Sequence, residues 1–217
     1  MDIRHAIFSR RSIRHFKNIP VPPEIIKEVL ECGSWAPSAC NRQGWRFIVI
    51  DNADLKQKIV GHGASRIILQ APVGILTCYD NRSDNHEYLD WLQSAAAAIE
   101  NMLLGAQILG LGSCWICHLP NHGTLRALLK IPSFYTPIAY VAIGYPLEQP
   151  KPIKRRLLLQ DLYEYNRFPR IHNSNCSEYR FLGLRRIIRK CYYALPFLIK
   201  KRLNNFIHRH FVKTFDN

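Results

Sequence analysis

Carboxylates are scarce in this chain: 16 Asp and Glu stand against 30 Lys and Arg, a formal net charge of +14. The shortage is local. Residues 1–167 hold 19 basic and 14 acidic residues, whereas residues 168–217 hold 11 and 2. The excess charge therefore belongs to a separate C-terminal segment, and the rest reads as an ordinary, mildly basic domain. Long apolar runs are also missing. No stretch approaches the roughly 18 uninterrupted apolar residues of a membrane-spanning helix, which excludes that reading. The opening Met-Asp-Ile-Arg-His lacks the apolar stretch of a secretory signal, so a cytoplasmic location is expected. Seven cysteines, an odd number without an export signal, then read as reduced thiols instead of a disulfide framework. Internal repeats are absent, and no Gly-x-Gly-x-x-Gly follows a strand, which removes the usual dinucleotide fingerprint.

What is present describes a globular protein: 47% hydrophobic and 21% charged residues over 217 positions, enough for one domain with an appendage. Local patterns predict helices over 2–9, from 24 with a stop at Gly33, over 51–60, over 87–109 and over 122–130. Strands are predicted over 46–51, 73–79, 113–119 and 137–145. Four strands interleaved with helices make the fold α+β or α/β. The run Ala95, Ala96, Ala97, Ala98 in the longest helix would admit close approach of another helix or a flat ligand.

Residues 10–14 read Arg-Arg-Ser-Ile-Arg. Three guanidinium forks and a hydroxyl suit a phosphate, because Arg offers paired donors matched to phosphate oxygens. Residues 36–45 read Ala-Pro-Ser-Ala-Cys-Asn-Arg-Gln-Gly-Trp, a Pro-punctuated loop whose short polar groups suit a planar heterocycle. Together they point to a phosphorylated, ring-bearing cofactor. Cys114-Trp-Ile-Cys117-His118 matches a haem-attachment spacing. It falls in an apolar strand run where the two thiols would point to opposite faces, and no export signal precedes it, so neither haem nor a metal is expected. Trp91 and Trp115 are read as core, and His118 and His122 as structural or surface groups.

Four segments, in order, resemble the nitroreductase-like flavoproteins: residues 10–14; Ala36-Pro-Ser with Asn41, Gln43, Trp45 and Phe47; Leu109-Gly-Leu-Gly-Ser-Cys-Trp115; and Lys151-Pro-Ile-Lys-Arg-Arg156. The resemblance covers residues 1–167. It implies an α+β nitroreductase-like fold, with a mostly antiparallel central sheet flanked by helices, in an intertwined homodimer that binds FMN at its interface. By the same resemblance, Arg10, Arg11, Ser12 and Arg14 would bind the phosphate, ribityl chain and pyrimidine edge, with Arg14 at the N1/O2 edge. Pro37, Ser38, Asn41 and Gln43 would reach the flavin from the neighbouring subunit or from beneath the ring. Gly110, Leu111 and Gly112 would approach the isoalloxazine through their backbone, and Lys154 or Arg156 would add a phosphate contact. Gly44 stands where the family usually has Pro, which would loosen the loop.

The implied activity is hydride transfer from NAD(P)H through flavin N5 to an oxidised organic acceptor, such as a quinone or nitro compound, by a ping-pong cycle. The flavin carries the chemistry, and no side chain need be a nucleophile. Two alternatives stay open: a flavin-dependent dehydrogenase or reductive dehalogenase acting on a specific metabolite, and a non-catalytic flavin-binding partner protein. Residues 168–217 form a second region, a basic amphipathic extension with an interrupted apolar stripe from Phe181 to Ile207 and a break at Pro196. That stripe could dock on the protein's own dimer or a partner protein, or lie peripherally on an anionic inner-membrane surface. Nucleic acid is not an expected partner, since no reader motif accompanies the charge.

Overall fold

β2 (Val73–Asp80) and β4 (Tyr135–Gly144) are almost wholly buried, which is why both read as continuous apolar runs without polar alternation. They form the centre of a four-stranded sheet in the order β1-β2-β4-β3, with β1 (Trp45–Ile50) and β3 (Gly112–Ile116) at the edges and every pairing antiparallel. The computed structural model describes residues 2–82, 87–148, 150, 154–155, 157–169 and 191. The chain divides into two units, Met1–Lys151 and Pro152–Asn217.

Alternate residues of the central strands face two cores. On one face Ile75, Val141 and Ile143 pack with Ile26 and Val29 of α2 (Pro23–Ser34), and with Ile99, Met102 and Leu103 of α5 (Asp90–Ile108). On the other, Leu76, Tyr140 and Ile116 meet Ile59 of α3 (Ala53–Gly61), Ile68 of α4 (Ile67–Gln70) and Leu125 of α6 (His122–Leu129). α2 and α5 approach each other closely. A Cβ on Gly33 would lie 2.7 Å from Met102 Cγ, and one on Gly105 would lie 2.8 Å from Cys32 Sγ. Gly33 thus stays inside α2 as a contact residue; it is not the predicted stop, and the cap is Trp35. Ala95 and Ala98 are buried against Trp45 and Tyr79, with Ala97 partly buried beside them, so three of the four alanines serve the core.

Boundaries moved where a local rule met a tertiary one. The long helix starts at Asp90 because Leu89 is left-handed, with φ of 49°. β3 ends at Ile116, so Cys117 lies beyond it and is exposed, while Cys114 is buried within it. β4 begins at Tyr135 and carries Pro137 inside a central strand. Pro donates no ladder bond and is ordinarily confined to edges or bulges. Here the register shifts between Thr77 and Cys78, whose partners are Ala139 and Pro137, so a bulge absorbs it.

Lys56 is the one charged residue in the buried set of the described chain. Its Nζ donates to the carbonyls of Ala71 (2.9 Å) and Pro72 (3.0 Å), tying α3 to the entry of β2. Burial pushes its amine below the usual lysine range. Lys56→Met would leave both carbonyls without this donor, at a cost of about 1–3 kcal/mol. Thermal unfolding should register it as a midpoint lowered by about 2–4 °C per kcal/mol.

In the second unit, residues 159–161 form a 3-10 turn and Arg167 pairs with Glu164. Lys154 is exposed there, as are Leu158, Leu159, Tyr165 and Phe168. Arg156 and nearly all of the predicted amphipathic stripe lie outside the described residues. Among the described residues, no helix is long and apolar enough to cross a membrane.

Candidate functional site

Residues 10–14 leave α1 (Ile3–Ser9) and run beside the start of β3. Ile13 N donates to Ser113 O at 2.9 Å, and Ser12 bridges Ser113 in parallel. Further along, Lys17 N bonds Tyr145 O and Leu147 N bonds His15 O, so the strip is stitched to the sheet by its backbone. Ile13 and Phe16 point into the core, while Ser12 and Arg14 are exposed and Arg11 is half-buried.

Three residues at the junction of α5 and β3 each make this approach work differently. Gly110, at φ +77°, turns the chain in the left-handed region that favours glycine, and a Cβ there would meet nothing within 4 Å. Leu111 anchors the turn in the core. Gly112 lets the strip close in, since a Cβ would lie 2.7 Å from Ile13 Cγ1.

Three guanidinium groups lie along this strip. Arg10 Nε lies 3.6 Å from Glu100 Oε1, a partly exposed pair that orients the side chain more than it stabilises the fold. Arg11 Nη1 donates to Phe8 O and Arg10 O, which fixes the guanidinium, yet its buried Nε has no hydrogen-bond partner among the described residues. Arg14 Nη1 reaches Ser12 O at 3.4 Å. Burial raises the Cys114 thiol above its ordinary range, with Arg14 and then Arg10 pulling it down, so both cations lie close to that thiol.

Residues 37–43 form the second segment. After exposed Pro37, a 3-10 turn at Ala39–Asn41 carries Cys40 and Asn41 at φ of 51° and 52°, and Gln43 follows at 50°. Three left-handed non-glycine residues in four positions store strain of order 1 kcal/mol or more each, and such strain clusters at functional sites. What over-determines the loop is a set of hydrogen bonds. Gln43 N donates to Ser38 Oγ at 3.0 Å, Gln43 Nε2 to Asn41 Oδ1 at 2.9 Å, and Ala39 N to Ser94 Oγ on α5 at 3.1 Å. Asn41 and Gln43 are consequently joined and exposed.

Gly44 does not loosen this loop. It is absent from the positive-φ glycines, and a Cβ there would lie 2.8 Å from Tyr79 Cε1. The bulk of Tyr79, edge-on to Trp45 with ring centroids 6.2 Å apart, excludes a side chain at 44.

The two segments do not meet within one chain. Trp45 pairs with Tyr79, and Tyr79 with Thr136 near one end of β4, whereas Gly112 pairs with Gly144 at the other end. Three strand spacings of about 4.8 Å and eight residues of about 3.4 Å place the segments at opposite corners of the sheet, roughly 30 Å apart. α5 gives a second ruler. Ser94 holds Ala39, and Gln107 Nε2 reaches Ser9 Oγ at 3.4 Å; these anchors are separated by about 20 Å of helix.

Other singled-out groups fall outside both corners or in the core. Trp91 is half-buried against Trp45 and Tyr79, and Trp115 is half-buried in the core between the sheet and α5, its Nε1 without a partner among the described residues. Burial, then Arg126, lowers the His122 imidazole. Ser94 and Glu100, which hold the two segments from α5, carried no recognisable signal in the sequence beyond being polar positions on a helix.

Comparison with known proteins accounts for this arrangement. The Nitroreductase family profile matches residues 7–66 and 60–145, covering both corners and the sheet between them. A candidate NADH dehydrogenase/NAD(P)H nitroreductase of Methanothermobacter thermautotrophicus is 35% identical over 154 residues, 69% of this chain and 80% of that protein. The FMN reductase [NAD(P)H] of Bacillus subtilis is 29% identical over 167 residues, 68% of this chain and 67% of the relative. A candidate nitroreductase from Desulfovibrio desulfuricans, solved in complex with FMN, is 32% identical, with a TM-score of 0.65 over 78% of this chain and 99% of that one. On sequence and fold together, this chain belongs to the nitroreductase family.

Proposed function

We propose that the protein is an FMN-dependent oxidoreductase that takes a hydride from NAD(P)H and passes it to an oxidised organic acceptor, such as a quinone or a nitro compound, in a ping-pong cycle. The observation that carries this reading is the buried Nε of Arg11, which has no partner among the described residues. An unpaired buried donor costs about 1–3 kcal/mol, and more when charged, so an anion is called for at this point. A phosphate answers it with matched geometry.

The residues present fit FMN. Arg11 and Ser12 would hold the phosphate and ribityl chain, with Arg10 steadied by Glu100 beside them. Exposed Arg14 would supply the cation that stabilises negative charge on the pyrimidine edge. Open space over Gly110 suits close approach of a flat ring to the backbone. When bound, FMN supplies the hydride-accepting N5, and the protein's share is to hold, orient and tune it. The separation of the two segments supports a homodimer, in which Pro37, Ser38, Asn41 and Gln43 of one copy would face the flavin held by the other.

The test is an absorbance spectrum of purified protein under anaerobic conditions. A yellow protein bleached by NADPH and restored by a quinone is expected. Arg11→Ala should weaken FMN retention by about 1.5–3 kcal/mol, the value of a charge-assisted contact. Unchanged FMN affinity in that variant would place the phosphate elsewhere.

A further inference from the structure

Next to the strained loop, one end of the sheet carries Arg46, Arg82 and Arg126, with the Asp80 carboxylate paired to Arg82. Arg82 Nε donates to both oxygens of Asp80 at 3.0 and 3.1 Å, and its Cζ sits 4.6 Å from the Phe134 ring centroid. Arg46 Cζ lies 5.7 Å from the Tyr135 ring, and the two rings are 5.1 Å apart. Arg126 grips the same turn from beneath, donating to Tyr135 O at 3.0 Å and Ser133 O at 3.1 Å. Arg42 stands two residues before Gly44, whose carbonyl accepts from Asp80 N at 2.9 Å. The Asp80 carboxyl is held below its usual range chiefly by Arg82, with a smaller contribution from Arg42.

Among the described residues Asp80 pairs with Arg82, and Arg42, Arg46 and Arg126 have no carboxylate partner. Guanidinium groups laid over aromatic rings are positioned in advance; Asp80 holds Arg82 Nε and Nη2 and Trp45 O holds Arg46 Nη1, which leaves Arg82 Nη1 and Arg46 Nη2 as the donors facing an anion among the described residues. Arg42, Arg46 and Arg82 are exposed, and so is Phe134, which offers a flat apolar surface beside the cations. A ligand matched to this surface carries a phosphate and a stacking base together. The cluster also adjoins the loop assigned to the flavin, because Asp80 N donates to Gly44 O at 2.9 Å.

We propose that this cluster binds the 2′-phosphate-bearing adenosine of NADPH, so that the protein selects NADPH over NADH. The inference rests on the hydride-transfer function above, with Arg42 and Arg82 as the phosphate-reading residues and Phe134 as the stacking platform. Arg126 is a positioning residue, since its donors are spent on the turn that carries both rings.

Adenosine 2′,5′-bisphosphate, 5′-AMP and inorganic phosphate, titrated calorimetrically into the full-length protein, test this without relying on turnover. The bisphosphate should bind at least about tenfold more tightly than either of the others, and Arg42→Gln with Arg82→Gln should erase that advantage, as expected for lost charge-assisted contacts. Arg82→Gln alone, outside the residue 38–43 loop, should raise KM for NADPH by a larger factor than KM for NADH. Equal binding of the bisphosphate and 5′-AMP, or a bisphosphate affinity indifferent to the two substitutions, would overturn the assignment. Inorganic phosphate binding as tightly as the bisphosphate would also overturn it, by showing a general anion patch. A colourless protein that still shows the arginine-dependent bisphosphate affinity would keep this site and reject the flavin reading, so the two failures are distinguishable.

Discussion

A hybrid dimer assembled from one Arg11→Ala chain and one chain carrying Asn41→Ala and Gln43→Ala should recover FMN at one of its two sites, although each parent homodimer is deficient at both. The reason is the separation of roughly 30 Å between the corners of a single sheet. If each flavin lies between the residue 10–14 strip of one copy and the residue 38–43 loop of the other, the hybrid collects both defects in one site and none in the other. Each parent should bind FMN about 10- to 150-fold more weakly, the range that corresponds to 1.5–3 kcal/mol. The hybrid, isolated through two different affinity tags, should bind close to one FMN per dimer with unaltered affinity and about half the NADPH:quinone activity. Two equally weakened sites in the hybrid would mean that both segments act on the same flavin from one chain.

Gly112→Ala should lower both stability and flavin affinity, because a single missing Cβ couples the two. That atom would lie 2.7 Å from Ile13 Cγ1 and 2.9 Å from Ile13 Cβ. Ile13 cannot simply retreat, since its amide is bonded to Ser113 O and its side chain is buried. Overpacking of this kind costs about 1–3 kcal/mol, and the strain falls on the backbone between Arg11 and Arg14. FMN titration by fluorescence quenching should show a weakened complex, and thermal unfolding a lowered midpoint. Ile13→Ala in the same chain removes Cγ1 and Cγ2 and should return part of the FMN affinity. A loss of stability with undiminished FMN affinity would show that the strip does not carry the cofactor.

Much of the fold could be read locally. β2 and β4 announce themselves as apolar runs, and α5 by its spacing. Boundaries failed where something outside the local pattern decided them: Leu89 is left-handed, Pro137 is absorbed by a bulge at Ile138 of β4 opposite Thr77 and Cys78, and Gly33 is a glycine because of Met102. α4 is four residues long and has no period to detect. The cofactor segments were legible as residue types, and the resemblance supplied their roles. Their placement was not legible, because it depends on strand order and register, which no single segment encodes. Asn41 tolerates left-handed backbone and so hints at its turn, but Cys40 and Gln43 give no such hint. The guanidinium cluster is scattered from Arg42 to Arg126 and becomes a cluster only when the ends of β1, β2 and β4 align.

α5 fastens the loop near its beginning through Ser94, Arg10 of the arginine strip at its middle through Glu100, and Ser9 of α1 near its end through Gln107. Inserting or deleting one residue between these anchors would advance the helix by about 1.5 Å and swing everything beyond it by about 100°. One attachment could be kept only by forfeiting the other. Natural length variation should thus be purged from this helix.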